Sequence, residues 1–279
     1  MFIFEILKAI IIGAVEGITE WLPISSTGHM ILLDEILSLN VSDEFLEMFL
    51  VVIQLGAICA VPLLFWNKLW PFSRKKSKED TKGTLVLWSK VIVGAIPAAI
   101  LGFLLDDLLD KYLYSYVVVA IARIVYGIAF IFVEKIKAEN SYRIVNVEDI
   151  GYGDALKIGA FQCLSLIPGT SRSGSTILGG MISGVSREAS AEFSFFMAIP
   201  IMLGASGLKV LKFILEGFFA SSEEIIILLI GMIVSFLVSF FVIKFLMDFV
   251  KRHDFKIFGY YRIGLGFLVI VYFLIKSLI

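Results

Sequence analysis

Two short stretches hold most of the residues that could do chemistry. Glu16 and Glu20 are four residues apart, so a helix sets both carboxylates on one face, with Gly13 and Gly17 allowing another backbone to come close. Such a pair can share a cation, and oxygen-only donors select a hard ion, Mg2+ or Ca2+. The plainer alternative is a pair of interfacial carboxylates on an amphipathic helix. Next come Ser25, Ser26, Thr27, Gly28 and His29 at the start of an expected second helix. Hydroxyls and unpaired first-turn N–H groups form an anion site that suits phosphate. Simple capping accounts for one hydroxyl, but not for three in a row beside an imidazole able to act as acid or base. Far along the chain, Gly169-Thr170-Ser171-Arg172-Ser173-Gly174-Ser175-Thr176 repeats the hydroxyl pattern and adds a guanidinium whose planar fork matches phosphate oxygens. An arginine paired with Glu16 or Glu20 for structure alone would fit the same geometry.

Together these residues are a kit for phosphoryl transfer. Glu20, Ser26, His29 and Arg172 are the candidate catalytic groups. Glu16 and Glu20 are the candidate metal ligands, and Ser25, Thr27, Gly169, Thr170, Ser171, Ser173 and Gly174 are candidate substrate contacts.

The elements that must position them lie in a membrane. Of 279 residues, 59% are hydrophobic and 18% charged, with mean hydropathy +0.94, more apolar than a water-soluble domain of this length. Lys plus Arg (24) balances Asp plus Glu (25), which argues against nucleic acid as a partner. Cys59 and Cys163 sit in apolar stretches, so neither a disulfide scaffold nor a zinc site is expected. Glu5, Lys8, Glu16 and Glu20 interrupt the N-terminal apolar stretch, which is expected to be retained structure and not a cleaved signal.

Six segments are long and apolar enough to span a bilayer: 45–66, 85–105, 115–133, 191–211, 225–247 and 258–278. Two further apolar regions, about 2–39 and 153–186, are broken by Pro23 and Pro168 with their polar neighbours. Irregular backbone at membrane depth needs protein or a wet cavity to satisfy it, so each is expected to be a re-entrant helical hairpin, the alternative being two full spans around a loop. The loop holding Lys68, Arg74, Lys75, Lys76, Lys78 and Lys82 is expected inside, as are those of Lys135, Lys137, Arg143 and of Lys251, Arg252, Lys256. Asp106, Asp107, Asp110 and Lys111 then lie outside with Glu216, Glu223 and Glu224, as do both termini.

Gly13-Ala14-Val15-Glu16 matches Gly159-Ala160-Phe161-Gln162 at an offset of 146, while Pro23, Ser25 and Ser26 match Pro168, Thr170 and Ser171 at 145, as Glu47 matches Glu192. The expected fold is an all-α polytopic membrane protein forming one integral domain. It comprises an inverted-topology repeat, about 1–135 and 152–279, each half a re-entrant hairpin plus three spans. Broken helices would then meet around a buried site, as in transporters. Arg123, Lys90, Glu192, Lys244 and Arg262, within or near spans, are expected to pair internally, orient a helix or snorkel. Gln54 and Gln162 are expected to join helices.

At these hairpins the sequence closely resembles the undecaprenyl-diphosphate phosphatase family, the bacterial bacitracin-resistance proteins. The likeness rests on Glu16-Gly17-Ile18-Thr19-Glu20-Trp21-Leu22-Pro23-Ile24-Ser25-Ser26-Thr27-Gly28-His29 and Pro168-Gly169-Thr170-Ser171-Arg172-Ser173-Gly174. The resemblance implies hydrolysis of undecaprenyl diphosphate to undecaprenyl phosphate and inorganic phosphate at the outer face of the cytoplasmic membrane. Lipid carrier would thereby be recycled for cell-wall synthesis and bacitracin's target removed. It implies Glu16 and Glu20 as the acidic motif, Ser26 and His29 in the catalytic turn, and Arg172 on the diphosphate. The implied partners are the polyprenyl diphosphate and the bilayer, with a homodimer left open. A transporter or flippase for an anionic lipid phosphate is the rival reading, against which stands the concentration of hydroxyls, imidazole and carboxylates. The histidine-nucleophile lipid phosphatases do not fit, because no histidine follows Ser171-Arg172 at their spacing.

Overall fold

The computed structural model describes residues 2–74, 76–113, 115–137 and 142–278. Lys75 lies outside the described residues, as do the side chains of Thr27, Asp106, Asp107, Asp110 and Lys111. Eleven α-helices run through the described chain: α1 (Phe2–Thr19), α2 (Ser26–Leu37), α3 (Asp43–Leu64), α4 (Trp66–Leu69), α5 (Lys78–Leu113), α6 (Tyr116–Lys137), α7 (Tyr152–Gln162), α8 (Arg172–Ile182), α9 (Arg187–Leu215), α10 (Ser222–Val250) and α11 (Lys256–Leu278). The described residues contain no strand, only an isolated bridge between Ile144 and Val185. Six helices, α3, α5, α6, α9, α10 and α11, are long and apolar enough to cross a bilayer, matching the six expected segments. The chain is therefore an all-α, multi-pass membrane protein.

Local sequence sets the helix starts. Ser42, Ser186 and Ser221 each accept a hydrogen bond from an N–H three residues on, and Glu224 closes a capping box on Ser221. Both expected breaks are present. Residues 20–25 separate α1 from α2, and a single 3₁₀ turn (Cys163–Leu166) followed by residues 167–171 separates α7 from α8. Proline in each break removes a helix donor. Ser25 (φ 70°) and Ser171 (φ 73°) are the only described non-glycine residues in the left-handed region, and each is the N-cap of the short helix that follows. They are 146 residues apart, the offset of the preceding helices.

The long helices pack as exchanged pairs: α6 lies on α11 and α3 on α9, while α1 packs on α10 and α7 on α5. Small residues permit the closest crossings. A methyl group at Gly127 of α6 would lie 2.7 Å from the Gly259 carbonyl oxygen of α11, and one at Gly259 would lie 2.7 Å from that of Gly127. Arg123 stands one turn before this crossing and Arg262 almost one turn after it, so the crossing fixes where both side chains reach. Gly127→Ala is expected to lower stability by about 1–3 kcal/mol, the usual cost of overpacking. Thermal unfolding in detergent measures this. Gly264→Ala, on the same helix α11 with open space around it, should unfold at the parental temperature.

Candidate active site

The two elbows meet. A guanidinium N–H of Arg172, the first residue of α8, donates to Glu20 Oε1 at 2.9 Å across 152 positions of sequence. Another donates to the Ser194 carbonyl of α9 at 2.7 Å, and the group lies 5.6 Å from the centre of the Trp21 ring. Both members of the ion pair are nearly buried. Deleting one partner of such a pair costs about 3–5 kcal/mol because the other charge is stranded. Ser173 ties the elbows a second time, its hydroxyl donating to the carbonyl of Glu20 at 3.0 Å.

Two arginines, Arg123 of α6 and Arg262 of α11, complete the junction. Arg262 is fully buried and reaches both elbows at once, donating to the Pro23 carbonyl at 3.0 Å, to that of Gly169 at 2.9 Å and to that of Thr170 at 2.8 Å. Arg123, also fully buried, donates to the Ser25 carbonyl at 3.1 Å, and a side chain at Gly28 would collide with its guanidinium. His29 Nδ1 meets the same Ser25 oxygen at 2.8 Å, and its Nε2 lies 2.7 Å from the Tyr261 hydroxyl. The carbonyls of Glu20, Pro23, Ser25, Gly169 and Thr170 thus find donors in distant helices, as low-dielectric surroundings require.

What the elbows leave open is as informative. Glu16 and Glu20 stand one turn apart, the Glu20 N–H donating to the Glu16 carbonyl at 3.0 Å, and Glu16 Oε1 is buried without a partner. Ser25 makes no side-chain cap, its hydroxyl is buried and unpartnered, and Ser26 opens α2 half-exposed. Buried groups of this kind are normally satisfied, so the acidic face and the α2 start are where a bound ion and an anion would be accommodated.

The comparisons decide the family. The family model described as bacitracin resistance protein BacA matches residues 9–268. The undecaprenyl-diphosphatase of Acetivibrio thermocellus is 58% identical over 270 residues, covering 97% of this chain and 98% of that one. That of Desulfitobacterium hafniense is 53% identical over 280 residues and covers all of both chains, and one from Enterococcus faecalis is 54% identical over 267 residues, covering 96% and 97%. The chain belongs to the BacA family.

Within this BacA-family fold the sequence candidates divide by what their side chains now do. Glu16, Glu20, Arg172 and Ser173 are brought into one cluster, with Ser25, Ser26 and His29 on the same elbow. Thr170 donates to the carbonyls of Leu164 and Ile167, and Ser171 accepts from Gly174 N–H, so those hydroxyls build the second elbow. Gly169 (φ 93°) lies so near α6 that a methyl there would stand 2.5 Å from the Val119 carbonyl oxygen. Among the other intramembrane polar residues, Glu192 takes the ammonium of Lys68 at 2.7 Å, Lys90 donates to the Glu148 carbonyl and Lys244 sits over the Phe240 ring. Gln162, level with Glu16 in the repeat offset, is buried with its amide unpartnered. Arg123, Arg262 and Tyr261 were not among the sequence candidates for the site. The available signal was charge in mid-span, which at that depth demands a partner, although the partner's identity is set only by folding.

Arg262→Lys leaves one compact ammonium where a fork spanned two elbows, so at least one carbonyl loses its donor. The expected loss of stability is about 1–3 kcal/mol, read as a lower melting temperature in detergent with faster hydrogen exchange at residues 24–26 and 170–172. Lys244→Gln is expected to leave both unchanged.

Proposed function

We propose that this protein is an undecaprenyl-diphosphate phosphatase, cleaving undecaprenyl diphosphate to undecaprenyl phosphate and inorganic phosphate. It would thereby return lipid carrier to cell-wall synthesis and remove bacitracin's target. The Glu20–Arg172 contact carries the reading, since it joins an acidic elbow to an anion-binding elbow inside a membrane protein whose relatives bear that name. A membrane-embedded site suits this substrate because the polyprenyl tail can stay in hydrocarbon while only the diphosphate enters the protein. Access from the outer face is the side that the family resemblance implies. The exchanged helix packing and the paired left-handed N-caps support reading the halves, about 1–135 and 152–279, as an inverted repeat built on re-entrant hairpins.

In the proposed reaction the terminal phosphoryl group lies between the starts of α2 and α8. Ser26 Oγ attacks its phosphorus while the bond to the bridging oxygen breaks, and undecaprenyl phosphate departs. Glu20 takes the hydroxyl proton, the choice over His29 resting on the engagement of both imidazole nitrogens. Arg172 and first-turn N–H groups of α2 stabilise charge on the phosphoryl oxygens. Water then attacks the phosphoserine, releasing inorganic phosphate and restoring the hydroxyl.

Glu16 and Glu20 would hold a divalent cation. The described residues contain no cluster of three or more acidic, histidine or cysteine ligands, and in this proposal the protein would contribute the two carboxylates. That set suits Mg2+, which commonly takes one or two carboxylates with substrate phosphate and water, and Ca2+ is the alternative. Such an ion supplies charge neutralisation at the diphosphate oxygens.

Phosphate release from a polyprenyl diphosphate in detergent, where no transmembrane gradient exists, tests enzyme against transporter. The purified protein is expected to release phosphate, and chelation should suppress release in a way that added Mg2+ or Ca2+ restores. Ser26→Ala should fall by about 100-fold or more, and Glu20→Gln and Arg172→Lys by about 10-fold or more. Near-parental turnover in Ser26→Ala would exclude the serine route, and an inert parent protein would exclude the function.

A further inference from the structure

We infer that Tyr261 of α11 is a positioning residue of the phosphatase site, acting through His29 to hold the strained start of α2; this rests on the proposed phosphatase reading. His29 Nδ1 faces only an acceptor, the Ser25 carbonyl oxygen at 2.8 Å, so Nδ1 carries the hydrogen. In the neutral ring, the Nε2 lone pair then takes the hydroxyl hydrogen of Tyr261 at 2.7 Å. The two rings are also stacked, their centres 5.7 Å apart and their planes 11° from parallel. A continuous chain therefore runs from the Tyr261 hydroxyl through the imidazole to Ser25.

Ser25 is where such a strut is needed. Its backbone is in the left-handed region without a glycine, and its side chain makes no cap. Arg123 is the second donor on the same carbonyl. The next residue is Ser26, so the orientation of Ser25 sets where the attacking hydroxyl and first N–H groups of α2 point. Tyr261 also precedes Arg262 in sequence, which places the strut for the first elbow beside the residue that spans both. While Tyr261 fills Nε2, the imidazole is a brace and not a base, and the proton of Ser26 is left to the carboxylates.

A double-mutant cycle on phosphate release tests this with Tyr261→Phe, His29→Ala and the two combined. Tyr261→Phe keeps the stacked ring and removes only the hydroxyl. It is expected to lower kcat about fivefold with KM within about twofold, and to add nothing once His29 is alanine. Imidazole 15N shifts of the folded protein should report the Nδ1–H tautomer in both proteins, with the acceptor Nε2 signal moving towards that of an unbonded lone pair in Tyr261→Phe. Losses that multiply, or an Nε2 signal that does not move in Tyr261→Phe, would overturn the role of Tyr261 while leaving the phosphatase intact. Full activity in His29→Ala would instead remove His29 from the catalytic turn, and the inference with it.

Discussion

A chain that breaks its helix within a bilayer has to find donors for the carbonyls it exposes, and this constraint organises the molecule. At the first elbow those of Glu20, Pro23 and Ser25 are taken by Ser173, Arg262, Arg123 and His29, and at the second those of Leu164, Ile167, Gly169 and Thr170 are taken by Thr170 and Arg262. Only intramolecular groups can serve where water is absent. Arg262 and Ser173 each bridge the elbows, so the same bonds that make two helix breaks tolerable also hold them against one another. Convergence of the two polar turns follows from satisfying their backbones.

The functional arrangement grows from what this bonding leaves unmet. Those carbonyls are covered, whereas the start of α2 retains an uncapped turn and a buried hydroxyl, and Glu16 keeps an oxygen without a partner. The unpaired groups comprise donors suited to an anion and acceptors suited to a cation, set side by side. Arg172 pairs with Glu20, an arrangement that keeps both charges satisfied. Binding of a diphosphate would give that guanidinium a second anionic partner and the carboxylates a shared cation.

Much of this was legible in the sequence because local chemistry marks it. Six uninterrupted apolar runs gave the spans, and Pro23 and Pro168 amid hydroxyl residues gave the two breaks. The Glu16/Glu20 spacing and the single arginine of the second turn marked the cluster. The contributions of Arg123, Tyr261 and Arg262 were not legible, since each is set by the approach of α6 and α11 to elbows roughly 90 to 240 positions away, and mid-span charge announces a partner without naming it. The hydroxyls of Thr170, Ser171 and Ser173 looked equivalent to those of the first turn by composition, but they cap or bridge backbone.

The most direct measurement is a structure of the protein with a non-hydrolysable polyprenyl diphosphonate bound in a lipid nanodisc. The account predicts the terminal phosphonate between the N-termini of α2 and α8, within hydrogen-bond distance of Arg172 and with Ser26 Oγ facing its phosphorus. A headgroup bound elsewhere, with the elbows closed on each other and Ser26 remote from phosphorus, would contradict it.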